Sequence, residues 1–430
     1  MRNIALLTLF LTLITRSSVT LAQGGLMLPI MSPTSAGMGT AATATAVDSM
    51  GAIYWNTANM SRMESQVGLS VIDVMPKSRV RSSIQGLGAG VTEADAGGTI
   101  LPGFGLIYRP EDSDWAFGLA AVTVAGAGAN YPADLTNPIF TPQSNTPMAP
   151  GGLGQVRSSV IYSEFVLGVS YAISERWSVG AGPTLVYSDI GFSPLILADL
   201  DDADGSGQPR VTTDDGHAAN WGGGFQVGVS FRGDSGWNFG ASYKSERWME
   251  DALWNSTDEL GRPTRTAWAH EMPSIISLGA SYAGCDCTLF VVDVRYVDYS
   301  HARGCGDDGF GPNGNVLGAG QSSIVVVTTG MQRQLTTKHT ARIGYTFNQS
   351  PHNSGDVMES IFAPFYWQHT LHMGGSVAVS DAFSIDVGYS LILPAELEGP
   401  IQTPAGPVPN SSVEHRMHAH LLSLGATVRF

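Results

Sequence analysis

Lys244, Arg295 and Arg342 are the residues best suited to hold a ligand. A guanidinium grips a carboxylate through two parallel hydrogen bonds, and an ammonium meets it as a point charge. Each of the three falls in the hydrophilic phase of an alternating segment, with Glu164, Glu246, Asp293, Asp386 and Arg429 in the same phase. Two uses compete for such a set. The charges brace one another across an enclosed space, or one of the three bases meets the anionic head of a bound molecule. No nucleophile elbow, phosphate loop or paired-carboxylate spacing stands out, so no enzymatic role is expected and no catalytic residue is assigned.

Other reactive side chains point less far. His415, His418 and His420 invite metal ligation, but they lie where the last alternating segment reaches a rim, and neither a metal nor any other cofactor is expected. Asp199, Asp201, Asp202 and Asp204 read as a solvated acidic loop in preference to a divalent-ion site. Cys285, Cys287 and Cys305 are too few for a disulfide framework and lack the further ligands of a metal centre. The formal net charge of −15 disfavours nucleic acid as a partner.

The elements that position these charges are strands. Trp115, Phe117 and Leu119 oppose Ala116, Gly118 and Ala120; Phe165, Leu167, Val169 and Tyr171 oppose Glu164, Gly168, Ser170 and Ala172. The same period of two returns in Phe225 to Phe231, in Phe383 to Tyr389 and in Leu422 to Phe430. Only 14% of the residues are charged, against about 25% in soluble domains, and 52 are glycine. One face carries bulk and the other glycine, hydroxyls and charge. That suits a wall with lipid outside and water inside.

Fourteen such segments follow between residue 65 and Phe430, among them 65–75, 115–124, 158–172, 237–248, 322–333 and 415–430. The 322–333 segment is the least regular, because Val325, Val326 and Val327 do not alternate. Short turns alternate with long loops, the habit of outer-membrane barrels, and aromatic residues recur near strand ends as interfacial girdles. The fold expected is all-β: a transmembrane antiparallel β-barrel of about fourteen strands over residues 65–430.

The first residues read as an export leader. Arg2 precedes an apolar run from Ile4 to Ile14, and Thr20 and Ala22 are small, so residues 1–22 are expected to be cleaved. The run is too short to span a bilayer as a helix.

Residues 23–64 do not alternate, and their few charges and moderate hydrophobicity disfavour a disordered tail. A fourteen-stranded wall leaves a lumen wider than its own side chains fill, so this segment is expected to plug it as a hatch. Gly37-Met38-Gly39-Thr40-Ala41, then Ala46-Val47-Asp48-Ser49, then Asn56-Thr57-Ala58-Asn59-Met60-Ser61-Arg62 resemble the hatch of the FadL-type (FadL/TodX) transporters of the bacterial outer membrane. Gly240 to Ser245, Met272-Pro273, Leu278 to Tyr282, Asp293 to Ser300 and the terminal Phe430 add to the likeness. Thr57 stands where that family has proline, so a rigid φ does not fix this turn.

The resemblance implies a carrier without chemistry. A fatty acid or similar hydrophobic small molecule is captured by outer loops, enters a pocket closed by the hatch and leaves through an opening in the wall. Asn56, Thr57, Ala58 and Asn59 are the expected gating residues; Tyr131, Leu135, Ile139 and Phe140 are the expected capture loop. Partners would be outer-membrane lipids and the barrel-assembly machinery, with one chain closing the wall as a monomer and both ends of the wall in the periplasm. A general porin or structural surface barrel is the alternative.

Overall fold

A sheet greasy on one face and open at its edges is an aggregation hazard, and closing it on itself removes both edges. In the computed structural model of this chain, which describes residues 27, 28, 30–143, 151–212 and 216–430, fourteen antiparallel strands close in this way. They are β1 (Gln66–Ile84), β2 (Thr99–Tyr108), β3 (Trp115–Tyr131), β4 (Val156–Ala172), β5 (Trp177–Ser193), β6 (His217–Arg232) and β7 (Trp237–Lys244). Then come β8 (Ser274–Cys285), β9 (Thr288–Asp298), β10 (Ile324–Gln334), β11 (His339–Asn348), β12 (His369–Ala378), β13 (Phe383–Gly399) and β14 (Ser411–Arg429). Neighbours in sequence pair, and β14 returns to β1 from Gln66↔Arg429 to Ile84↔Ser411. The expected leader, residues 1–22, lies outside the described residues.

The period of two sorts the wall. Leu69, Leu167, Leu278 and Leu424 face outward with more than half their surface exposed. At the short-turn end, Trp115 lies against Tyr171, Trp177 against Phe231 and Trp237 against Tyr282, with ring centroids 4.7, 4.7 and 4.9 Å apart. These cross-strand pairs form the girdle. The irregular valines fit too: Val326 faces in, between the less buried Val325 and Val327.

Strand ends differ from expectation toward the long loops. β1 runs to Ile84, past residue 75, and folds back on Gly88–Glu93; β3 runs to Tyr131, past residue 124. Where 237–248 was expected as one strand, β7 stops at Lys244 and resumes as Arg247–Met249, followed by an unforeseen hairpin of Ala252–Thr257 with Pro263–Trp268. Beyond the apolar band a strand no longer meets lipid on one side. The greasy-and-wet rule lapses there, and Lys77 and Arg79 stand outward while Val80 is buried.

Inside the wall lie α1 (Pro33–Gly37), α2 (Ser49–Trp55) and a 3-10 turn, Thr57–Arg62. Helices this short are unstable alone, so their ends are pinned. Ser32 caps α1 in a reciprocal arrangement with Ser35, Asp48 caps α2 by accepting from the Gly51 N–H at 2.6 Å, and the Ser32 hydroxyl donates to Asp48 at 2.8 Å. The wall makes room with small residues. Gly68, Gly105, Gly118, Gly168, Gly180, Gly228, Gly240, Gly279, Gly330, Gly344, Gly374, Gly388 and Gly425 form an inward belt against the hatch, and β9 has Asp293, opposite Gly279, in place of a glycine.

This belt is testable at Gly279, where an added Cβ would stand 2.7 Å from the Ala44 nitrogen and 2.8 Å from the Thr43 Cβ. Gly279→Val is expected to dislodge the hatch and raise ion conductance in planar bilayers. Gly375→Val, whose nearest neighbour would be 3.6 Å away, should leave conductance at the wild-type level.

Candidate functional site

The inward charges converge on the hatch. Glu164 on β4 meets Lys244 at 3.3 Å and Arg247 at 3.1 Å, while the Lys244 ammonium sits 3.2 Å from the centre of the Tyr54 ring. Arg247 also donates to the carbonyls of Ser245 and Pro273. On β9, Asp293 pairs with Arg295 at 2.9 Å and accepts from the backbone N–H groups of Ala42 and Thr43 and from the Thr43 hydroxyl. Arg295 donates to the Thr40 carbonyl and hydroxyl and lies 3.4 Å above the Trp55 ring.

Each charge is therefore matched by an opposite charge, a carbonyl or a ring face, which is what buried ions require. Arg342 donates to Gln332 at 2.7 Å and to Ser376 at 2.5 Å, and Ser376 in turn bonds Asp386. The geometry assigns Lys244 and Arg295 to fastening the hatch to the wall and Arg342 to a wall network beneath α1.

The residues expected to gate are bonded from both sides. Asn56 donates to Thr43 O at 2.7 Å and to Val229 O at 3.0 Å, and its own Oδ1 accepts from Ala58 N–H. The asparagine side chain thus closes the turn that a proline ring would otherwise stiffen. Asn59 donates to Ala42 O, and Ala58 O accepts from Ser170 and Ser178. Thr57 is buried in the same turn.

Above the hatch lies a cavity of about 480 Å³. Leu28, Val74, Leu101, Phe192, Trp367 and Met417 line its inner part. Gly126, Gly128, Ser159 and His217, from the outward phase of β3, β4 and β6, line it as well. A void confined to the lumen could not touch both faces. It passes through a window, because β2 and β3 pair only from Gly103↔Val122 to Tyr108↔Phe117. A bulge between Thr123 and Ala125 turns β3 away, and the Asp95 N–H bond to Asn130 O closes the frame above. Below and outside lies a lipid-facing groove bordered by Val71, Pro102, Phe104, Thr123 and Phe165. The hatch reaches the window too, since Leu28 N–H donates to Val124 O at 2.8 Å and Met27 bridges Ala125.

Of the expected capture residues, Tyr131 and Phe140 stack at 4.9 Å in the interior with Ile139, and only Leu135, 82% exposed, is offered to solvent. The cavity's lid is the loop carrying α3 (Val357–Phe362): Ser158 donates to Phe362 O, and Ser360 contacts His415, which also meets Tyr131. His415 is buried, whereas His418 and His420 occupy the opposite phase of β14, so the three do not converge. In the lid's root, burial beside Asp356 and Asp308 pushes the Glu359 carboxyl up to about 7.

Sequence reasoning missed Arg247, whose signal was a basic residue three positions past Lys244 where alternation stops, and the aromatic seats Tyr54 and Trp55. It missed the bulge also, although Val122 and Val124 share a phase that is small earlier in the strand. Asp202, Asp204 and Glu259 bring one oxygen each within 4.8 Å of one another, and Arg210 offsets part of their charge by pairing with Glu259 and lying 3.9 Å from Asp204. Cys285 and Cys287 are exposed at the β8–β9 turn, and Cys305 is buried.

The family described as outer membrane protein transport protein (OMPP1/FadL/TodX) matches residues 13–301. Among solved structures, the toluene transporter TodX of P. putida superposes with a TM-score of 0.68 at 15% identity, covering 94% of this chain and 99% of that one. A Pseudomonas aeruginosa FadL homologue gives 0.68 at 16%, covering 95% and 100%, and the Ralstonia pickettii toluene transporter TbuX 0.66 at 17%, covering 94% and 99%. No curated protein sequence matches the chain.

Two outcomes follow from this geometry. Asp293→Ala strands a buried guanidinium and frees three hatch donors, so it should weaken hatch docking by about 3–5 kcal/mol, read as faster hydrogen exchange over residues 40–60. For the lid, Glu359 is held more protonated when buried than when the loop opens, so closure is favoured below its raised pKa and weakens as pH rises through about 7. Exchange over 357–367, corrected for intrinsic rate, should speed up from pH 6.5 to 8, and Glu359→Gln should abolish that increase.

Proposed function

Because the chain belongs to the outer-membrane protein transport family OMPP1/FadL/TodX, we propose that it is a passive channel for hydrophobic small molecules that exit sideways into the membrane. The family's members are bacterial outer-membrane β-barrels, transport proteins and not enzymes. The long loops face outward, the short turns and both ends of the wall face the periplasm, and residues 1–22 are removed on export. A solute enters from the long-loop side, lodges in the cavity beneath the lid and leaves through the window into the outer leaflet.

The observation that carries this reading is the cavity lined by both faces of β3 and β4. A greasy solute gains about 0.8 kcal/mol per buried CH2 on entering an apolar pocket, and lipid outside offers it the same environment, so passage needs no energy source. The hatch blocks the straight route, which argues against a general porin. Release is gated where Met27 and Leu28 bond to the β3 bulge: their withdrawal widens the window, while Asn56, Thr57, Ala58 and Asn59 keep the hatch body in place.

Lys244, Arg295 and Arg342 act as braces in this mechanism. The channel therefore reads apolar bulk in preference to a carboxylate, and both fatty acids and aromatic hydrocarbons are admissible cargo.

Two variants separate sideways from downward exit. Deleting Val124 removes the bulge and lets β3 pair straight, and Thr45→Cys with Ser281→Cys, whose hydroxyls lie 2.7 Å apart, ties the hatch to the wall. Uptake of labelled oleate and toluene should fall at least tenfold in the deletion, with heat-modifiable migration retained, and stay near wild type in the cross-linked form. Unchanged uptake by the deletion, or loss on cross-linking, would overturn lateral release.

A further inference from the structure

Three cations stand in a row on the outer face of the wall. Lys77, Arg79 and Arg81 occupy the outward phase of β1, continuing the line of Leu69 and Val71, and all three are exposed. Alternate residues of a strand are about 6.6 Å apart, so the row is a ladder of positive charge with regular rungs. Across the register, Lys77 lies opposite His418 and Arg79 opposite Arg416.

Like charges directly opposite one another destabilise a sheet, and an anion beside them relieves the repulsion. Arg416 has its own, pairing with Glu396 at 2.6 Å and Glu414 at 2.7 Å. Lys77, Arg79 and Arg81 have no ion pair among the described residues, although Glu93 lies opposite Arg79, Glu414 opposite Arg81, and Asp73 one step below Met75.

Height identifies the counter-ion. The outward face of β14 is apolar from Phe430 through Val428, Leu424 and Leu422, and Tyr389 beside it bonds His420 at 2.7 Å, which marks the interface. Lys77 lies four residues beyond Asp73, the register partner of Leu422, which is about 13 Å along a tilted strand. That places the ladder level with lipid headgroups, within reach of long side chains that extend along the surface.

We propose that Lys77, Arg79 and Arg81, with His418, form a binding site for the phosphate groups of an anionic lipid headgroup in the outer leaflet. The proposal uses only the orientation given under Proposed function and is independent of what the channel carries. A lipid held there sits on β1 and β14, beside the strands that frame the window, and fixes the barrel's depth on that side.

The full barrel, purified in detergent, is titrated with a bisphosphorylated glucosamine lipid, with its dephosphorylated form and with inorganic phosphate, and bound lipid is read by native mass spectrometry. K77A/R79A/R81A is expected to retain at least fivefold less of the phosphorylated lipid than wild type. R176A, at the opposite end of the wall, should retain as much as wild type. The dephosphorylated lipid should not distinguish wild type from the triple variant, and inorganic phosphate at equal concentration should not displace the bound lipid. Equal retention by the triple variant, discrimination that survives removal of the phosphates, or displacement by inorganic phosphate would overturn the site. Heat-modifiable migration checks folding, and K77Q and R79Q singly replace the triple variant if it fails that check.

Discussion

The hatch fits because the wall comes close to having no side chains where the two meet. Thirteen strands offer glycine at one level, so the hatch lies directly against the wall backbone, by its own backbone at Gly240, Gly330 and Gly344 and by side chains such as Met60 at Gly118 and Gly168. The contact is close enough for the wall's hydroxyls, amides and one carboxylate to reach the hatch's own N–H and C=O groups. Asp293 gathers three hatch donors at one carboxylate, and Ser170 and Ser178 share one hatch carbonyl. With a larger residue at these positions, neither the bonds nor the seal would form.

The window is the other consequence of backbone chemistry. A hole in a membrane wall exposes ladder groups that lipid cannot satisfy, and each one left unpaired is costly. Here the exposed groups find partners that a regular strand would not need. Leu28 N–H serves Val124 O, Asn130 O accepts from Asp95 N–H, and the Asn130 amide donates to Asp95 O. The opening is thus a change of partners, with the hatch supplying some of them.

How much of this was legible follows from where lipid acts. Where one face meets lipid and the other the lumen, as in Phe165 to Tyr171, alternation marked the wall strands and the side chains they turn inward, except over the valine run at 325–327 and at Glu246, which falls in the break between Lys244 and Arg247. Toward the long loops that contrast fades, so the extension of β1 to Ile84 and the hairpin from Ala252 to Trp268 left no readable pattern. At the site, the inward phase of Lys244, Arg295 and Arg342 was readable but their partners were not. Thr40 and Arg295 are 255 residues apart in sequence, and only the closed wall brings them together. The bulge at Val124 was hidden because a single inserted residue looks like ordinary variation in a valine-rich strand.

That separation in sequence bears on the order of assembly. The hatch precedes every wall strand in the chain, yet its fastenings come from β4, β6, β7 and β9, and the strand that completes the enclosure, β14, is the last. Two short helices with one cap each cannot wait in finished form. The hatch must travel as an unfolded leader to its own cavity and order only as the barrel closes around it. A barrel closed without it would have no route by which to recover it.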